Sequence, residues 1–257
     1  MIDISRKEKD RIVAAVDSIF AGFVSPIDTE DVEDLLDSLD VEDQDVFKKD
    51  RCNHIIYNHG ETKLCIYPVD YPNIVVKIPI RSEEFSPFGD SDYDFCQFEA
   101  EFFKKAEETG ISSLFAETEY IGCAHGFSIY IQEKIDETVG KKRDNYYENN
   151  KEYHNRYTHR EDKYSHMSYW GWISCVVEEE LEEEIGEEIE NDFYDDLHPL
   201  FIKDVVKTYG IAVFHTLVSF LRHFGIDDLH TGNVGYIKDR PVLFDYSGIE
   251  AYYSKGE

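Results

Sequence analysis

Between Asp228 and Gly248 the chain reads DLHTGNVGYIKDRPVLFDYSG. Two short apolar runs, at 234–237 and 242–244, are joined by Lys238-Asp239-Arg240-Pro241, which has turn chemistry. The pair therefore predicts a β-hairpin. With that four-residue connection Ile237 faces Val242, and Asn233 falls beside Asp245 and Tyr246 at the open end. Asp228 precedes Asn233 on a Gly-containing loop that can fold back to the same place. Two carboxylates and one amide converge there, and their hard oxygens suit Mg²⁺ held together with phosphates.

A second constraint lies near the middle. Val75-Val76-Lys77-Ile78 sits in an apolar strand at 73–80. Val75 and Lys77 share one face of that strand, Val76 and Ile78 the other. A lysine among apolar neighbours needs a carboxylate, a phosphate or a route to water. It can alternatively guard a sheet edge.

Asp228-Leu-His230-Thr-Gly-Asn233 followed by Phe244-Asp245-Tyr-Ser-Gly248 resembles the catalytic loop and metal-binding motif of the protein-kinase-like superfamily. The resemblance is to its small atypical or aminoglycoside-phosphotransferase-type branch and to small kinase-like proteins of bacteria and phages. It implies that Asp228 is the catalytic base and that Asn233 and Asp245 bind metal. His230 would either hydrogen-bond near the phosphoryl group or brace the loop. Val75-Val76-Lys77-Ile78 resembles the third strand of that family, whose lysine contacts nucleotide phosphates. The helix expected over 96–109, stopped at Gly110, then stands where the family places the Glu that pairs with this lysine. Glu99 fits that place, with Glu101 as rival on another face. Residues 128–135 resemble the fifth strand and hinge. Gln132 would lie at the back of the pocket, and Glu133 and Ile135 would offer backbone groups to the adenine edge. The turn around Gly60, between strands expected at 54–57 and 63–67, is the place for a phosphate-covering loop. Its single glycine is also what a plain hairpin turn carries. The cofactors implied are ATP and Mg²⁺.

The implied fold is α+β and bilobal: a small β-rich N-lobe with one helix, then a reduced, largely helical C-lobe. The expected division is 1–50 as an N-terminal helical extension, 51–136 as N-lobe and 137–257 as C-lobe. Within the extension, 5–24 reads as a helix capped by Ser5, with Ile12, Val13, Val16, Ile19, Phe20 and Phe23 on one face. A second helical segment follows at 29–48. The extension would pad the N-lobe or contact a partner. Two further strands are expected at 115–121 and 127–135, connected by 122–126. The C-lobe carries an insert at 138–198. Its first part is polar and Tyr-rich, with His154, His159 and His166 at spacings that suit no metal motif. Its second part is a very acidic helix with Leu181, Ile185 and Ile189 as a narrow apolar stripe. Residues 199–224 read as one long buried helix ending at Gly225, directly before Asp228.

Two departures from the family pattern stand out. Ile226 occupies the position where a His is usual. Twelve residues follow Asp245, too few for a long activation loop, so recognition of an extended peptide by that route is not expected.

Composition limits the partners. The formal net charge is −29. That opposes binding to nucleic acid or anionic membranes and favours a cationic small molecule or a basic protein surface, unless it serves solubility alone. No run of eighteen apolar residues and no leader-like N-terminus is seen, so a cytoplasmic protein is expected. Five scattered cysteines without C-x-x-C spacing read as reduced thiols. The leading expectation is an ATP–Mg²⁺-dependent phosphotransferase acting on a hydroxyl acceptor, with AMP transfer as a variant. The alternatives are a pseudokinase binding module and an acidic nucleic-acid-mimic interaction protein.

Overall fold

Ser5 starts the first helix. Its side chain accepts from the Glu8 N–H while the Glu8 carboxylate accepts from the Ser5 N–H, a reciprocal capping box. Helix α1 spans Arg6–Ile19. The computed structural model describes residues 2–23, 32, 57–59 (main chain), 62–80, 94–145, 197–226 and 229–246. The second helical segment expected at 29–48 (apart from Val32), the whole of 146–196 with the acidic helix expected within it, Gly60 and Asp228 lie outside them. Two compact units divide the chain: Met1–Glu107 with Ala116–Lys134, and Glu108–Phe115 with Ile135–Glu257. The architecture is mixed α+β with antiparallel sheets.

The first unit holds a five-stranded antiparallel sheet. Its strands are β1 (Tyr57–His59), β2 (Lys63–Ile66), β3 (Ile74–Pro79), β4 (Thr118–Ala124) and β5 (Phe127–Glu133), in the order β1-β2-β3-β5-β4. Period-two alternation gives the sheet two different faces. Leu64, Ile66, Ile74, Val76, Ile78, Phe127, Ile129 and Ile131 form one face. They share a core with Ile12, Val16 and Ile19 of α1 and with Phe20 directly after it, and Val32 joins it. Each such buried side chain contributes about 1.5–3 kcal/mol relative to exposure. The N-terminal helix thus pads the sheet. At Gly122 it comes so close that an added Cβ would lie 2.9 Å from Val13 Cγ2. The other sheet face carries polar side chains and meets α2 (Phe95–Thr109), which ends at Gly110 with φ +78°.

Several strand boundaries differ from expectation: the strand expected at 115–121 starts at Thr118, and the one expected at 127–135 ends at Glu133. The first strand was expected at 54–57 with Asn58 and His59 in the following loop; both lie in β1, paired to β2 with His59 opposite Leu64. Pairing to β2 supplies the hydrogen bonds that local composition did not announce. The connection expected at 122–126 is only His125-Gly126, both at positive φ (50° and 83°). A two-residue turn of that kind matches strand twist. A register shift between Tyr120 and Gly122 lets β4 run on to Ala124.

In the second unit β6 (Glu137–Thr138), β7 (Val234–Ile237) and β8 (Arg240–Leu243) form an antiparallel sheet in that order. The hairpin exists, with a different register. The turn is Lys238-Asp239, at φ 50° and 65°, and Ile237 faces Arg240 rather than Val242. Arg240 and Pro241 look like turn residues, but Pro241 belongs to an edge strand, where a missing N–H is tolerated. Gly235 is needed because a Cβ there would lie 2.6 Å from the Glu137 carbonyl oxygen on β6.

The single helix expected over 199–224 is two: α3 (Pro199–Tyr209) and α4 (Ile211–Phe224). Gly210 separates them at φ 86°, ψ 160°, a conformation closed to residues with a Cβ. The break resets the apolar face. Val205, Phe214, Leu217, Phe220 and Leu221 are buried, whereas Val206, Tyr209 and Val213 are only partly so. Gly225 closes α4 in the left-handed conformation. Phe115 packs edge-on against both Phe220 and Tyr246, and Arg240 donates to the Ser113 carbonyl at 2.6 Å.

Candidate functional site

Lys77 leaves the polar face of β3. In register, Cys65 of β2 and Tyr130 of β5 flank it. Its ammonium donates to both oxygens of Glu99, at 3.0 Å to Oε1 and 2.8 Å to Oε2. Glu99 is fully buried and Lys77 is 4% exposed. Glu101 instead accepts from Gln97 on its own helix. Glu99, two residues earlier, falls on the face that meets the sheet.

Glu99 is shared. Lys63 at the start of β2 donates to Oε1 at 2.7 Å, and Gln132 Nε2 of β5 donates to Oε2 at 3.1 Å. The other amide hydrogen of Gln132 reaches Thr118 Oγ1 at 2.7 Å. One carboxylate thus accepts from two ammonium groups and one amide, all buried. Removing any one partner from such a site is costly, since the rest stay desolvated. Lys63 and Thr118 were not singled out from sequence. The signal for Lys63 was its parity: Leu64 and Ile66 point to the core, so Lys63 must point to the face that bears Lys77. Reading it requires the β2–β3 register, which no local pattern states.

The same face holds two further groups with shifted acidity. Burial, reinforced by Glu99, pushes the Cys96 thiol well up, so it is an inert thiol rather than a nucleophile. Burial and the Asp94 carboxylate raise the Tyr130 hydroxyl, which donates to Asp94 Oδ2 at 2.6 Å. Asp94 also accepts from the Gln97 N–H, so one carboxylate ties the start of α2 to β5.

After Gln132 the chain passes from one unit to the other between Lys134 and Ile135. The Glu133 N–H donates to the Glu117 carbonyl at 3.0 Å and so is already used within the sheet. Lys134 N–H goes to Asn73, and Asp136 N–H to Tyr236. Ile135, with the first N–H beyond the boundary, lies between these anchors.

In the second unit the loop before β7 places Asn233 and Asp245 side by side. The Asn233 carbonyl accepts from the Phe244 N–H at 3.0 Å and the Asp245 N–H at 3.4 Å, while its own N–H goes to the His230 carbonyl. The register is two residues from the expected one. Asp245 remains a neighbour of Asn233, and Phe244 takes the place given to Tyr246, which is buried against Phe115. Asn233 is 6% exposed and Asp245 half-buried. These contacts join the main chains of the two residues; an amide oxygen and a carboxylate are the kinds of hard donor that a divalent cation takes. Among the described residues no group of three or more His, Cys, Asp or Glu side chains is arranged to hold a metal. His230 is exposed, and its Nδ1 accepts from the Gly232 N–H at 2.9 Å. Ile226, at the position of the missing His, is buried. Among the described residues no helix is long and apolar enough to cross a membrane.

No family model matches the chain, and neither a curated protein nor a solved structure gives a match.

Proposed function

We propose that this protein is an ATP–Mg²⁺-dependent phosphotransferase of the protein-kinase-like kind, with a bilobal fold and a hydroxyl acceptor. The observation that carries the reading is the buried Lys77–Glu99 ion pair, contributed by the third strand and by α2 on the polar face of a five-stranded antiparallel sheet. A lysine held by a carboxylate is a preorganised cation, and preorganised charge is what phosphoryl transfer requires. Passage between units at Lys134–Ile135 supports the assignment of 133–135 as the adenine-facing segment. The neighbouring Asn233 and Asp245 support a cation site.

In this reading Lys77 steadies the phosphates and Glu99 orients Lys77. Asn233 and Asp245 would hold Mg²⁺, which when bound would offset charge on the phosphate oxygens. Asp228 accepts the acceptor hydroxyl's proton, and His230 supports the loop between Asp228 and Asn233. Catalysis is then mainly positioning. The charge of −29 favours a cationic acceptor.

Thermal unfolding with and without ATP and Mg²⁺ tests nucleotide binding. Ligand at about 100 times its dissociation constant adds about 2.7 kcal/mol of stability. No shift at millimolar nucleotide overturns the reading. ATP turnover by Asp228→Ala beside wild type tests chemistry: equal rates remove Asp228 from the mechanism, and binding without any turnover in wild type favours the pseudokinase.

A further inference from the structure

Helix α1 runs beside β4 in the same direction and is joined to it at successive points. The Ile2 N–H donates to Glu117 Oε2 at 2.7 Å, just ahead of β4, and Lys9 Nζ donates to Glu119 Oε1 at 2.6 Å. Val13 lies against Gly122, and His125 Nε2 is 2.9 Å from the Asp17 carbonyl. The helix itself is held by burial of Ile12, Val16 and Ile19. Residues 2–5 ahead of it are held less firmly. Ile2 and Ile4 are half-buried against the same core, Asp3 and Ser5 are exposed, and the Glu117 carboxylate anchors the Ile2 N–H. A segment with so little burial opens at lower cost than the helix it precedes. Glu117 faces two ways. Its carboxylate holds Ile2, and its main chain is tied to Glu133, the last residue of β5. The Glu133 N–H donates to the Glu117 carbonyl at 3.0 Å, and Glu133 Oε2 accepts from the Glu117 N–H at 3.1 Å. Beside it, Thr118 Oγ1 accepts from Gln132, whose amide also donates to Glu99. A backbone N–H on a carboxylate is a charge-assisted bond, stronger than a neutral one. We infer that residues 2–5 form a strap which, through Glu117, positions Glu133 and Lys134, so that docking of the strap and nucleotide binding favour each other. Glu117 is then a positioning residue. This rests on the nucleotide-binding reading above and adds its regulation. Release of the strap from Glu117 weakens nucleotide binding without touching the nucleotide, and by linkage bound nucleotide holds the strap down.

Amide hydrogen exchange of the full chain, read by NMR, compares wild type with Glu117→Ala and Glu119→Ala. Glu117→Ala removes the carboxylate that holds Ile2 and keeps both bonds to Glu133. Glu119→Ala cuts the contact with Lys9 and leaves Glu117 intact, so it controls for general loosening of α1. In Glu117→Ala the amides of Ile2, Glu133 and Lys134 are expected to exchange about tenfold faster, whereas Glu119→Ala leaves 133–134 within about twofold of wild type. Exchange at 133–134 unchanged by Glu117→Ala overturns the inference. Calorimetry with ATP–Mg²⁺ is expected to show about tenfold weaker binding in Glu117→Ala and a change under about twofold in Glu119→Ala. Equal ATP affinity in wild type and Glu117→Ala overturns the inference and leaves the nucleotide site standing. ATP that does not bind wild type overturns the nucleotide reading, and the exchange at 133–134 still decides whether the strap reaches that segment. If Glu117→Ala does not fold, wild type alone supplies the test: saturating ATP–Mg²⁺ is expected to slow exchange at Ile2 as well as at 133–134. Nucleotide that binds and slows only 133–134 overturns the inference.

Discussion

Lys77 Nζ lies 2.8 Å from Glu99 Oε2, across the boundary between a strand and a helix twenty-two residues apart in sequence. The contact is almost fully dry, and the first prediction comes from that dryness. Glu99→Gln leaves Lys63 and Lys77 buried without the carboxylate they share. Unfolding in urea should show a loss of about 3–5 kcal/mol. A loss under about 1 kcal/mol would mean that the lysines find water or another anion.

Asp245→Asn keeps the side-chain size and the backbone bond to Asn233 but removes the charge a cation would use. The folded protein should melt within a few degrees of wild type, while the Mg²⁺-dependent part of ATP binding falls about tenfold or more. Calorimetry with ATP in EDTA and in Mg²⁺ separates the two contributions. An unchanged Mg²⁺ dependence would take Asp245 out of the cation site.

Gly210 sits at φ 86°, ψ 160°, and nothing lies within 4 Å of an added Cβ there. Gly210→Ala should therefore cost about 1–3 kcal/mol through the backbone alone. Chemical denaturation measures it. If the cost vanishes, α3 and α4 can join as one continuous helix.

His198 caps α3 through Nδ1, which accepts from the Leu200 N–H at 3.2 Å. Burial, and then Arg143, lower its pKa from 6.5 to about 4. The unfolded chain therefore binds the proton more readily. Its contribution is complete above pH 6.5 and is lost as pH falls through 4. Unfolding free energy at pH 7 and pH 5 should differ by on the order of 1–2 kcal/mol more in wild type than in His198→Asn, which keeps a capping oxygen and does not titrate.

Much of the framework could be read along the chain, because it rests on local signals. Ser5 announces a helix start, Gly110 and Gly225 announce helix ends, and alternation at 74–78 separates a core face from the face that bears Lys77. The choice of Glu99 over Glu101 also follows from helical spacing once the helix is placed. What escaped depends on pairing between distant segments. Lys63 reaches Glu99 only because β2 and β3 align as they do. The hairpin turn shrank to Lys238-Asp239 because Arg240 and Pro241 are held in β8 by β7, and non-glycine residues with positive φ carry no strong signature. Gly210 could equally be a tolerated helix interior glycine or a break. Packing in the second unit, where Phe214 is buried and Val213 only partly so, selected the break.

The sequence by itself determined the helix start marked by Ser5 and the helix ends marked by Gly110 and Gly225, though not the break at Gly210, and it determined which strand face is apolar, since period and capping act over a few residues. Only the tertiary structure decided which charges share a partner. A carboxylate takes whichever cations the sheet register brings within hydrogen-bonding reach, and register is a property of two strands together.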